Sequence, residues 1–285
     1  MRQTVTRFDE HDLKEFEPEA KVGLIATVNP AGLPHITLIT ALQAKTPTQL
    51  IWGQFSEGQS KANVKTNPKT GFLIMTMDRS LWRGKAVWTH QMSHGDDYAM
   101  FNNKPMFRYN AYTGIHTIHY MDLKETGGRE GLPLARIVLS SLLTKLAKSG
   151  ARSEEGGRIL KPWAEKLFNR IDTVKFCSYV GSDGFPVIIP LLACQAADST
   201  RLAFSDLAYR DELRGAAERH ARGRVRSDPG DGGRPRAGCV PRVLHLPEDH
   251  PGDRRHRLGI QLHAARARAD LSGGGPETRA RLPVR

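Results

Sequence analysis

Cysteine is scarce. The 285-residue chain has three, Cys177, Cys194 and Cys239, with no C-x-x-C spacing. An odd number without that spacing excludes a disulfide framework and a zinc knuckle, and leaves reduced thiols as the expectation. Long apolar runs are missing too. An uncharged stretch such as 22–36 is broken by Asn29, Pro30, Gly32 and Pro34, and a membrane helix needs about 20 apolar residues, so no bilayer span is expected. The opening MRQTVTRFDEHDLKEFE alternates charges and lacks the apolar centre of a signal peptide, which makes a cytoplasmic address the default. No Ser-His-Asp constellation, Walker loop or G-x-G-x-x-G turn is present. What is there, 39% hydrophobic and 25% charged residues, suffices for one large or two modest globular domains and excludes a mainly disordered chain.

The net charge of +12 invites a nucleic-acid reading, yet it is unevenly placed. Residues 1–208 carry 25 Lys plus Arg against 20 Asp plus Glu, and 209–285 carry 17 against 10. All fourteen lysines lie at or before Lys175, whereas the last 77 residues hold 17 arginines, 11 glycines and 7 prolines, with no aromatic after Tyr209. Such a segment buries little apolar surface. It reads as an electrostatic nucleic-acid binder, as a solvated disordered extension, or as a GC-rich gene translated out of frame. The abrupt joint loss of lysine and aromatics near 213–219 favours the last, and the absence of stacking side chains argues against the first.

Along the chain, 8–19 predicts a short amphipathic helix. Strands follow at 21–28, 35–42, 48–55, 71–77, 81–90 and 112–123, rich in Thr, Ile and Trp, with turn chemistry at Asn29-Pro30-Ala31-Gly32. Short helices interrupt them at 60–66 and about 96–103. Six short strands separated by short turns predict a small antiparallel barrel rather than a parallel α/β sheet. Beyond 132 the period becomes helical, with Leu134, Ile137, Val138, Leu142 and Leu146 recurring up to Gly150, and a further helix is expected within 154–169, started or bent by Pro162. At an offset of 152, GLPHITLITALQAKTPTQL (32–50) faces GFPVIIPLLACQAADSTRL (184–202), matching Gly, Pro, Ala, Gln, Ala, Thr and Leu without a gap. The preceding strands KVGLIATV and KFCSYVGS align if two residues are allowed for the turn. An internal duplication follows, whose second copy loses its pattern soon after Ser205. The division expected is therefore 8–125, a first β unit; 126–172, a helical linker; 173–213, a partial second copy; and 214–285, the Arg/Gly/Pro-rich tail.

Ala26-Thr27, Gly32-Leu33-Pro34, His35 to Ile39, Leu50 to Gln54, Ser60-Lys61 at a helix start and Asn67-Pro68 occur in that order. Together they resemble the FMN-binding split barrel of the pyridoxamine 5'-phosphate oxidase-like superfamily, over roughly 20–123 with a partial repeat at 174–205. The resemblance implies a mainly β split barrel, bound FMN, and flavin at the interface of a homodimer or, with two copies in one chain, of an intrachain pseudo-dimer. Ser60 and Lys61 would hold the phosphate with a hydroxyl, free N–H groups, the helix dipole and an ammonium. His35 and Thr37 would approach the phosphate or ring edge, and Trp52, Gly53 and Gln54 would meet the ring. Relatives often carry Arg or Lys where His35 stands. Taken singly, Ser60 reads equally as a helix cap, Lys61 as a solvated residue and Trp52 as core.

Trp82, Trp88, Met75 and Met77 read as barrel packing. His90, His94, Asp96, Asp97, His116 and His119 could suggest a metal, but on a strand residues three apart point to opposite faces. The polar, aromatic segment 102–112 offers Arg108 as a substrate contact for an anion. The function expected is FMN-dependent redox chemistry on a small-molecule substrate with no catalytic side chain; NAD(P)H is a candidate donor, and the sequence does not specify the donor. A non-catalytic flavin- or haem-binding module is the alternative, and the substrate is not specified.

Overall fold

The computed structural model describes residues 4–18, 20–105, 114–151 and 159–213, together with the backbone of 242–245 and 260–266. Helix α1 (Glu10–Glu15) is capped by Asp9, which accepts from the His11 N–H at 2.9 Å. β1 (Lys21–Val28) turns back as β2 (Pro34–Leu38), with Thr27 opposite His35. Asn29 makes that turn: its Oδ1 accepts from Ala31 and Leu33 N–H at 3.0 and 2.9 Å, and Gly32 takes φ +75° without a Cβ penalty. The strand expected over 35–42 ends at Leu38. Ile39 N–H donates to the Gly23 carbonyl at 2.7 Å and Leu42 N–H to that of Ile39 at 3.1 Å, so the chain bends and restarts as β3 (Gln43–Thr46).

β4 (Gln49–Gln54), α2 (Gln59–Thr66), β5 (Lys69–Thr76), β6 (Ser80–Met92), α3 (Asp96–Asn103), β7 (Thr117–Thr126) and β8 (Glu130–Gly131) complete the first unit. Its sheet runs β2-β1-β5-β6-β7-β4-β3, antiparallel throughout, with β8 on β6. The path is open, with β2 and β3 at its ends. The last strand, expected from 112, begins at Thr117. Trp52, Trp82, Phe8, Phe16 and Phe72 fill the core, Phe16 meeting Phe8 and Trp82 edge-on at 5.2 and 5.0 Å.

α4 (Leu134–Ala147) runs into a 3₁₀ turn at Lys148–Ala151, and α5 (Pro162–Asn169) starts on Pro162, whose fixed φ suits the first helical position. Then come β9 (Thr173–Val180), β10 (Pro186–Pro190), β11 (Gln195–Ala196) and β12 (Arg201–Phe204). Each of these strands begins 152 residues after its counterpart among β1 to β4, and α5 begins 152 after α1. The local hydrogen bonds repeat as well. Gly184 has φ +79°, Leu191 N–H donates to Lys175 O at 2.7 Å, and Leu160 N–H donates to Ser199 O at 2.7 Å as Phe8 N–H does to Pro47 O at 2.8 Å. The strand facing 21–28 is thus 173–180, and the two-residue allowance expected at the turn is not needed.

β9 pairs on its outer side with β14 (Ile260–Arg266), and β12 with β13 (Arg242–His245), the edges that β5 and β7 cover in the first unit. The rest of 214–285, Cys239 included, lies outside the described residues, as do 106–113 and with them Arg108.

α4 forms where the apolar residues recur at helical spacing, and its buried side is not the leucine stripe. Val138, Leu142 and Leu146 are exposed, and Ile137, Ser140 and Thr144 are buried. Small side chains let the helix lie close: Gln195 Nε2 donates to the Ser141 carbonyl at 3.1 Å, while Thr144 Oγ1 donates to its own helix at Ser140 O, 2.8 Å away. The two copies dock through one apolar cluster in which Leu24, Ala26, Ile36, Leu73, Met75 and Leu81 meet Phe176 and Ile188. A Cβ at Gly71 would stand 2.1 Å from the Pro186 carbonyl oxygen, so glycine is required by that close approach. Among the described residues no helix is long and apolar enough to cross a membrane.

Candidate functional site

α2 is fixed to β1 by a buried polar contact at Asn63, which Gln59 of the same helix supports. Asn63 Nδ2 donates to Thr27 Oγ1 at 2.9 Å, and Gln59 Nε2 donates to Asn63 Oδ1 at 2.8 Å. Gly58 precedes the helix without a capping side chain, and Ser60 lies inside the first turn, so Ser60 is not the cap. It is 1% exposed, and its Oγ lies 2.5 Å from Thr37 Oγ1. Thr37 Oγ1 is in turn 3.2 Å from His35 Nε2. The i, i+2 spacing of His35 and Thr37 on β2 puts both on one face, toward α2. Lys61 is buried with its ammonium 5.9 Å from the Trp52 ring centroid. Burial lowers the Lys61 pKa, and the Glu57 carboxylate opposes that shift.

Behind this group runs a second polar chain. Gln54 donates from Nε2 to Glu57 Oε1 at 2.8 Å and its Oε1 lies 2.7 Å from His119 Nε2. Trp88 Nε1 donates to His119 Nδ1 at 3.1 Å, which assigns the ring proton to Nε2 and makes it the donor to Gln54. His119 stacks on Trp52 with centroids 3.9 Å apart and planes 3° from parallel. Burial, with the charges of Lys61 and Lys65, pushes its pKa down to about 3.

Of the residues singled out from sequence, His35, Thr37 and Ser60 meet through their side chains, whereas the Lys61 ammonium lies over Trp52 and feels the charge of Glu57, to which Gln54 also donates. Trp52 is fully buried in the core, and its indole N–H has no partner among the described residues. Gly53 approaches no open surface: a Cβ there would stand 2.4 Å from Ile115 Cδ1. His119, Glu57 and Asn63 were not singled out for this site. His119 is placed by register, opposite Trp52 across β4 and β7. Among the described residues, no three or more His, Cys, Asp or Glu side chains gather to hold a metal.

The Ser60 and Thr37 hydroxyls and the His35 imidazole, at a helix start without a side-chain cap, form a donor set that suits phosphoryl oxygens, and Lys61 follows Ser60 in the first turn with its ammonium over Trp52. The FMN implied by the resemblance fits here at its phosphate end. The ring contacts implied for Trp52 and Gly53 do not match the faces those residues present, and both ends of the Gln54 amide are already engaged.

No family model matches the chain, and no curated protein matches it. Solved structures similar to it include HupZ of Group A Streptococcus, 14% identical over 42% of this chain and 92% of that one, with a TM-score of 0.35. An FMN-binding protein of Syntrophomonas wolfei is 14% identical over 41% and 86%, TM-score 0.33. A NimC/NimA family protein of Clostridium acetobutylicum is 14% identical over 42% and 85%, TM-score 0.33.

Proposed function

We propose that the chain is an FMN-dependent oxidoreductase of the pyridoxamine 5'-phosphate oxidase-like superfamily, acting on a small-molecule substrate, with NAD(P)H as the electron donor to be tested. The observation that carries this reading is the meeting of His35, Thr37 and Ser60, motif residues of the resemblance, at the start of α2, where Lys61 follows Ser60. Bound FMN would supply the hydride or electron transfer. The chain's own part is to bind and orient. Lys61 neutralises phosphate charge, Ser60 and Thr37 donate hydroxyls, and the His119–Gln54–Glu57 chain holds the floor on which Lys61 rests. The second copy, docked on the first through Phe176 and Ile188, takes the place of a partner subunit, making the chain an intrachain pseudo-dimer.

The test is the near-ultraviolet and visible spectrum of the full chain with FMN, then with NAD(P)H. Flavin bands that shift on binding and bleach with reductant are expected. Binding without bleaching favours the non-catalytic module, and no binding overturns the reading. Lys61→Ala is expected to weaken FMN binding by about 1.5–3 kcal/mol, the usual loss for a hydrogen bond to a charged group. Fluorescence titration measures it, and unchanged affinity removes Lys61 from the site.

A further inference from the structure

The 152-residue offset assigns each member of the Ser60 cluster a counterpart in the second copy. Val187 stands for His35, Ile189 for Thr37, Asp206 for Gln54, Glu212 for Ser60 and Leu213 for Lys61. Every donor has become apolar or acidic. Ile189 and Leu213 are buried in one apolar cluster, with Val187 packed against it, so the counterpart of the cradle is filled by core. The backbone is nevertheless retained, because helix begins at Arg210, close to the counterpart of the α2 start.

At Ser60's counterpart the carboxylate of Glu212 is gripped on both oxygens by one guanidinium. Arg83 of the first copy donates from Nη1 to Oε2 at 2.8 Å and from Nη2 to Oε1 at 2.9 Å, and its side chain is 5% exposed. Glu130, 3.3 Å from Nη2, and the Ile188 carbonyl, 3.3 Å from Nη1, complete the shell, with the Tyr209 ring 5.2 Å from the guanidinium carbon. A planar fork closed on two oxygens is how arginine also holds phosphate.

We infer that the second copy has exchanged its anion site for a built-in anion, the Glu212 carboxylate held by Arg83, so that the chain takes one phosphate-bearing ligand rather than two. The ligand at the first copy rests on the proposed function, whereas the Arg83–Glu212 geometry does not. A phosphate entering the second copy would meet a carboxylate where the first copy offers a hydroxyl, and leucine where it offers an ammonium.

The experiment follows the thermal midpoint of the full chain while inorganic phosphate replaces chloride at constant ionic strength. It compares Lys61→Ala with the same variant carrying Glu212→Ser. Phosphate is expected to raise the midpoint of the doubly changed chain by several degrees and to leave Lys61→Ala unmoved. Equal responses overturn the inference. Should the double variant fail to fold in chloride, refolding yield in phosphate against chloride decides in the same way, and equal yields overturn it. A parent chain that ignores phosphate counts against the Ser60–Lys61 cradle alone, because the Glu212 comparison is made with Lys61 already removed.

Discussion

His119 is held neutral by position rather than by a counter-charge. Trp88 donates to Nδ1, Nε2 donates to Gln54, and burial beside Lys61 and Lys65 pushes the pKa down to about 3. The unfolded chain takes up a proton near pH 6.5 that the folded chain refuses, so the unfolded state binds more protons between those values. Stability is therefore full above about pH 6.5 and falls as pH drops toward 3, by up to about 1.4 kcal/mol per pH unit. His119→Gln keeps a polar partner for Gln54 but not the titration. Its unfolding free energy, from urea melts between pH 7 and 4, is expected to fall less steeply than the parent's, and parallel curves would refute the assignment. His35, Thr37, Ser60 and Lys61 were named from the motif order of the resemblance, whereas the Thr37–Ser60 contact joins β2 to α2 across 23 residues and no local spacing encodes it. His119 was not legible, because its partners come from the pairing of β4 with β7, which no spacing within GIHTIHY encodes. Trp52 and Gly53 were placed on the right strand, but alternation along a strand does not say which face meets the core.

At the scale of elements, α4 shows that an apolar period fixes the helix but not its buried side. Leu134, Val138, Leu142 and Leu146 form a stripe at i, i+4 spacing, yet the buried side is Ile137, Ser140 and Thr144. Burial here follows close approach, which small side chains permit and leucines obstruct. Ile137→Ala is expected to cost about 2 kcal/mol or more, whereas Leu142→Glu and Leu146→Lys should change stability by no more than about 0.5 kcal/mol. Denaturant melts of the three variants check this, and a reversed ranking would restore the leucine face as the packed one. The β2–β3 break has a similar origin. Residues 35–42 alternate well enough for one strand, but Gly23 exposes a carbonyl that takes the Ile39 N–H, and the chain turns there. That contact is long-range, which is why the hairpin before it was readable and the bend was not.

At the scale of the whole molecule, the described residues repeat one plan at an offset of 152, α1 with β1 to β4 and α5 with β9 to β12, and both apolar packing and charge join the two. The offset was readable from the repeated Gly-x-Pro turns, but the docking was not, since it depends on which faces the sheets leave uncovered. Besides the bidentate Arg83–Glu212 pair, two kinds of contact cross the boundary. Lys85 and Asp183 pair at 2.8 Å, but their side chains are 22% and 45% exposed, and exposed pairs contribute about 0–1 kcal/mol. Phe176 is fully buried in the cluster shared with Leu73, Met75 and Leu81, where truncating a phenylalanine costs about 3–5 kcal/mol. Phe176→Ala should therefore lower the melting temperature far more than Lys85→Ala. Because that cluster belongs to both copies, the loss should appear as one transition moved down in temperature. Calorimetry decides between the alternatives. A van't Hoff enthalpy equal to the calorimetric one in parent and variant means that the copies melt as a unit. Two resolved transitions in the parent would mean that each copy stands on its own core, with Phe176 serving only the second.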